Sequence, residues 1–301
     1  MSAVVRRAWF SLLFAVLLAA PALADNVPPP ASQAQDSRPD SLEASESSHK
    51  TVWEMPPVTV EGTRKLREED RVGANQQPRW TAHRRFTTTR VYVLPEGFVE
   101  FSYWLVPTFH EGGDQEMETL YEIEFGLPHR FQLDLYAVSH KNGKEGTLSL
   151  DEQKVEVRYA LADWGRIPAN PTLYLEWIGV SDAPDHIEGK LLLGGEVTSG
   201  WHWGVNGVYE HEMGGEQATS REVSAGISRT IRDGVWSFGA EGQAEFEDTK
   251  ATRGDYEKVY QLGPSLQLKP LPRMHIDLVP LFPLNDDAPK AEVTAIVAWE
   301  F

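Results

Sequence analysis

Carboxylates recur at every second position along much of this chain. Glu116, Glu118, Glu122 and Glu124 share one parity, as do Glu152, Glu156 and Arg158. In an extended strand alternate side chains share a face, so such spacing gathers acids on one surface. Neighbouring carboxylates raise each other's pKa and can serve as an acid/base pair. A longer row of them focuses negative potential and attracts cations. The same face of the strands collects Glu100, Asp134, Glu176, Glu188, Glu196, Glu210, Glu241, Glu245, Asp277 and Glu292, with Lys154, Arg158 and Lys190 as the basic counterparts. That many acids on one face read as a lining, not as a single catalytic pair. Glu210-His211-Glu212, with His202 and Glu216 nearby, has metal-ligand chemistry. Alternation puts His211 on the face opposite Glu210 and Glu212, which favours a solvated rim.

These acids need strands to position them. Alternation appears at 98–109, 116–125, 131–140, 148–161, 171–180, 187–198, 201–212, 218–231, 235–247, 256–269, 273–282 and 290–301, separated by Gly, Pro, Asp and Asn turns. The expected class is all-β, an antiparallel up-and-down barrel of about 12 strands crossing a membrane. Counted back from the C-terminus, very short turns such as Ser199-Gly200 alternate with longer loops such as 248–255. The exception is a long turn at 162–170, which closes the periplasmic mouth, docks the N-terminal segment or is simply bulged. Phe101, Tyr121, Leu133, Leu175, Trp201, Phe238 and Trp299 are candidates to face lipid.

The chain has 301 residues, no cysteine, 28 Lys+Arg against 45 Asp+Glu and a net charge of −17. This balance argues against nucleic acid as a partner. The missing cysteine excludes disulfides and thiolate chemistry. A mean hydropathy of −0.39 excludes a helical membrane bundle but not a barrel. Arg6 and Arg7, the apolar run 8–20 and Ala22-Leu23-Ala24 have the form of a signal peptide over 1–24, cleaved near Ala24.

Residues 25–90 read as a disordered or extended periplasmic segment, and 91–301 as the barrel. The charge inverts between them. Residues 63–90 hold eight Lys and Arg against three Asp and Glu, a net of +5. Residues 91–301 hold 16 against 35, a net of −19. The basic segment has two placements: free in the periplasm, or folded back into the acidic barrel. Twelve strands leave room there for a short peptide and not for a plug domain. Arg79, Arg84 and Arg85 are the gating candidates.

Val293, Ala295, Val297, Trp299 and Phe301 lie on one face, with Phe301 last. This resembles the C-terminal signature of bacterial outer-membrane barrels. The resemblance implies outer-membrane lipid as surroundings and the barrel assembly machinery as a partner, with Trp299 and Phe301 as the assembly signal. The stretch 121–131, strand–Gly–Leu–turn–Arg–strand, is similar to the MetA-like putative transporter barrels of phenol-degradation clusters. That implies passage of small, often aromatic, solutes and fixes no site residue. Residues 55–64 resemble the TonB box of TonB-dependent receptors, implying a periplasmic partner at Val58–Thr63 that adds a strand there. Those receptors carry a larger barrel and a plug domain. Ser139-His140-Lys141-Asn142-Gly143 departs from the H-x-S-N-G run of outer-membrane phospholipase A, since no Ser follows two places after the His.

The resulting expectation is a non-enzymatic, cofactor-free channel or transporter-like barrel for small cationic or neutral solutes, gated by its basic segment. The alternative is a closed structural barrel that anchors a periplasmic tail or partner protein.

Overall fold

Alternation of β-branched and aromatic residues with polar ones is resolved into strands whose two faces differ. The computed structural model describes residues 67–301, apart from Thr89 and Lys144. The signal segment, the tether, the TonB-box-like stretch Val58–Thr63, Arg64 and Lys65 lie outside the described residues.

A small hairpin, β1 (Arg71–Val72) and β2 (Gln77–Pro78), comes first. Twelve long strands follow: β3 (Val99–Phe109), β4 (Gln115–Leu127), β5 (Phe131–Asn142), β6 (Ser149–Ala160), β7 (Thr172–Val180) and β8 (His186–Thr198). The second half is β9 (Trp201–Glu212), β10 (Thr219–Arg232), β11 (Trp236–Asp248), β12 (Glu257–Leu271), β13 (Met274–Pro283) and β14 (Ala291–Glu300). Each pairs antiparallel with the next, and β14 closes on β3. The strand limits agree with the alternating segments to about two residues.

One face of each strand points outward. Tyr121, Leu175, Phe238, Trp201 and Trp299 are exposed there, as an apolar exterior requires. The opposite parity, including Glu122, Gln132, Glu156 and His202, is buried. The short turns after β4, β8, β10 and β12 lie at the end of the barrel that also holds Val99 and Phe301, called the terminal end here. Left-handed residues make them tight, among them Gly200 at φ 74° and Gly234 at φ 65°.

Residues 67–98 are not wall. Between Gln77 and Pro95 nearly all described residues are buried inside the barrel at the terminal end, with the hairpin tip and 96–98 exposed, so the barrel wall begins at Val99 and 91–98 belong to the lumen segment. Trp80, Phe86, Tyr92, Val93 and Leu94 are almost wholly buried. Two interior glycines admit them: a Cβ on Gly226 would stand 2.5 Å from the Phe86 ring, and one on Gly194 would stand 2.1 Å from Val91. The long turn between β6 and β7 packs on the same segment. Trp164 meets Trp80 and Tyr92 edge-on, at 5.6 and 5.3 Å between ring centres. Its N–H donates to the Asn75 carbonyl at 3.1 Å, and the Tyr92 hydroxyl donates to Ala162 O at 2.6 Å.

Candidate functional site

Register turns the scattered interior acids into a row. Glu300 on β14 stands opposite Glu100 on β3, and Glu100 opposite Glu124 on β4. Glu124 then faces Asp134 on β5, Asp134 faces Glu156 on β6, and Glu156 faces Glu176 on β7. Glu176 faces Glu188 on β8, which faces Glu210 on β9. Eight carboxylates on eight consecutive strands form an unbroken track. It starts at the end of β14 and finishes near the opposite rim, because Glu188 and Glu210 lie at the far ends of their strands.

Like charges directly across a ladder repel, so the row needs cations. Its upper half is met by the barrel's own side chains. Lys190 lies 2.9 Å from Glu188, Arg158 pairs with Glu156, and Arg158 Nη2 is 3.3 Å from Asp134. Lys154 pairs with Glu152, one position along the interior face, at 3.0 Å.

The lower half is met by the lumen segment. Arg90 binds Glu124 through Nε and Nη2, at 2.5 and 2.7 Å, and reaches Glu100 at 2.5 Å. Arg84 lies 3.0 Å from Glu122 and 3.5 Å from Glu124 and covers the Trp104 ring at 4.4 Å. Burial alone would lower both guanidinium pKa values. The adjacent carboxylates outweigh it and hold them above the ordinary arginine value.

A second set of contacts fixes the segment around the circumference. Arg85 donates to Glu68 at 2.5 Å, and Glu68 also accepts from Lys269 on β12 at 2.9 Å and Thr230 on β10 at 2.6 Å. Burial raises the Glu68 carboxyl, but Arg85 and Lys269 bring it well below the usual carboxylate range. Trp80 Nε1 donates to Glu196 at 2.7 Å. The Thr87 and Thr88 N–H groups donate to Glu241 at 2.9 and 3.3 Å. Leu94 N–H donates to Gln132 at 2.6 Å, and Gln267, itself 2.7 Å from Asp277, donates to the Arg84 carbonyl.

Above the segment the lumen holds a cavity of about 280 Å³, lined on one side by Trp104, Tyr136 and Tyr174. Glu118, Glu176, Glu188, Glu210, Glu222 and Glu292 bring carboxylates to its wall. Its floor is Arg84, Thr87 and Thr88. Glu245, opposite Glu222 on the neighbouring strand, takes a hydrogen bond from Ser220 at 2.7 Å.

The sequence-derived lining residues fall on the inward-facing parity of their strands, with Glu196 exposed at the terminal-end rim. Of the gating candidates, Arg84 and Arg85 are buried in ion pairs, and Arg79 sits in a 3-10 turn over 79–82. Alternation continues through 210–212, leaving His211 outside the row and 2.9 Å from Thr219. The residues that sequence reasoning missed are Trp80, Phe86, His83, Trp104, Gln132 and Lys269. The one signal for them was glycine at interior strand positions such as Gly194, Gly204 and Gly226.

No family model and no curated protein matches the sequence. Among solved structures, the chain is similar to the COG4313 outer membrane channel from Pseudomonas putida F1. That match has TM-score 0.52 and 9% identity, over 70% of this chain and 98% of the other. The NanC porin gives TM-score 0.48 and 11% identity, over 67% and 98% of the two chains. The first of these likenesses shows a barrel fold shared with that protein.

Proposed function

We propose that the chain is an outer-membrane channel for small cationic or neutral solutes, closed at rest by its own residues 67–98. The carboxylate row from Glu300 to Glu210 carries this reading. A file of like charges across eight strands makes a path of closely spaced cation sites through a low-dielectric wall, and such a path selects by sign. The lumen segment occupies the lower sites with Arg84 and Arg90, in the manner of the cations the path would pass. The aromatic side of the cavity suits solutes with an apolar body, as the MetA-like resemblance implies. The terminal end faces the periplasm in this reading, and the apolar exterior meets lipid.

The test is conductance in a planar bilayer under a salt gradient, comparing the mature chain from Asp25 with one beginning at Val99. The shorter form is expected to carry a larger, cation-selective current. Changing Glu176, Glu188 and Glu210 together to Gln moves its reversal potential toward zero. Anion selectivity, or selectivity unchanged in the triple variant, overturns the reading.

Buried ion pairs hold the segment on several sides, which favours a second reading in which the barrel stays shut and anchors a partner. A mature chain that shows no openings while the shorter form conducts, with heat-modifiable gel mobility intact in both, selects it. A third element joins the two. Val58–Thr63 lie just ahead of the lumen segment in sequence, so a periplasmic protein adding a strand there would pull directly on that segment.

A further inference from the structure

The seam between the first and last barrel strands carries an arrangement that ion pairing leaves incomplete. Glu100 and Glu300 are direct cross-strand partners, two carboxylates facing each other where the barrel closes. His83 of the lumen segment points between them, with Nδ1 against the Glu300 carboxylate. Donor atoms of His83, Glu100 and Glu300 all lie within 4.8 Å of one another. His83 is 4% exposed, yet its Nε2 makes no hydrogen bond, and Glu100 Oε2 makes none either. Arg90 takes the other Glu100 oxygen, and His275 Nε2 stands 3.4 Å from that same oxygen.

From these positions we infer a divalent transition-metal site of the zinc type, built by His83, Glu100 and Glu300, that latches the lumen segment to the barrel seam. One imidazole and two carboxylates are a borderline-soft set suited to Zn²⁺. A cation between Glu100 and Glu300 also removes their cross-strand repulsion. Among the described residues the other grouping with ligand geometry, Glu122, Glu124 and Asp134, is already met by Arg84, Arg90, Arg158 and Gln132.

The inference rests on the lodged segment and not on conduction, so it is tested by binding alone. Untagged mature protein in detergent is stripped with a chelator and titrated with Zn²⁺ by calorimetry, then again with Mg²⁺ in excess. One Zn²⁺ per chain is expected, and Mg²⁺ does not displace it. His83→Ala and Glu300→Gln each weaken that site by at least about tenfold. His140→Ala, which alters a second imidazole near Glu118 and Asp151, leaves it unchanged. Heat-modifiable mobility verifies that every variant is folded. If His83→Ala does not fold, Glu300→Gln and protection of residues 67–98 from trypsin by Zn²⁺ decide. No saturable binding by the wild type, or binding lost in His140→Ala and kept in His83→Ala, overturns the site.

Discussion

Arg90 holds Glu124 in a two-point grip although the two belong to different parts of the fold, one to the lumen segment and one to the barrel wall. The pair is buried on both sides. Removing one member of such a pair strands the other charge in a low-dielectric site, at a cost of about 3–5 kcal/mol.

Arg90→Ala is therefore expected to release the lumen segment. Trypsin would cleave after Arg79, Arg84 or Arg85 in the folded variant, where the wild type resists. Double replacement, Arg90→Leu with Glu124→Leu, restores most of the resistance. Equal resistance of Arg90→Ala and wild type would show that the grip contributes little.

Steric exclusion gives a test independent of charge. Gly226→Val and Gly194→Val place a Cβ at 2.5 and 2.1 Å from Phe86 and Val91, closer than side chains approach. Each is expected to expel the segment and raise conductance. Gly207→Ala, whose added methyl meets nothing within 4 Å, serves as the silent control.

The barrel itself was legible in the sequence because period-two alternation is a local property. Each strand from β3 to β14 needed only its own nine to fifteen residues. The carboxylate row was legible as a face and not as a row, because register is set between strands. Nothing in 131–142 alone says that Asp134 stands opposite Glu156. The lumen segment has neither period, since its residues answer to several strands in turn: Arg84 to β4, Thr87 to β11, Leu94 to β5. Its charge was readable, and its contacts were not.

Acidification should loosen the segment through Glu68. Its carboxyl lies below the ordinary value of 4.5 when docked beside Arg85 and Lys269. A group lowered in the docked state stabilises docking at pH above its free value, and that contribution is lost as pH falls through the docked value. Trypsin-independent readouts, such as conductance between about pH 6 and about pH 3, are expected to rise on acidification. Glu68→Gln flattens part of that rise, and an identical profile in the variant would remove Glu68 from the explanation.

The last residue offers a test in cells. Phe301 donates its N–H to the Val99 carbonyl at 2.9 Å while its ring stays largely exposed. Deleting Phe301 is expected to lower the amount of barrel inserted in the outer membrane. Protein refolded in detergent keeps normal heat-modifiable mobility. Normal insertion would show that Trp299 and the rest of β14 suffice for assembly.

The lumen segment passes straight into the first wall strand. Gly97 donates to the Gly126 carbonyl, and Gly126 donates to that of Phe98, each at 2.9 Å. A stopper fastened at one edge cannot be lost. Once withdrawn it remains at a local concentration on the order of millimolar around its own mouth. In the proposed channel, resealing would then be a first-order process whose rate ignores how many copies share the membrane, and the lifetime of an open barrel would belong to each molecule alone.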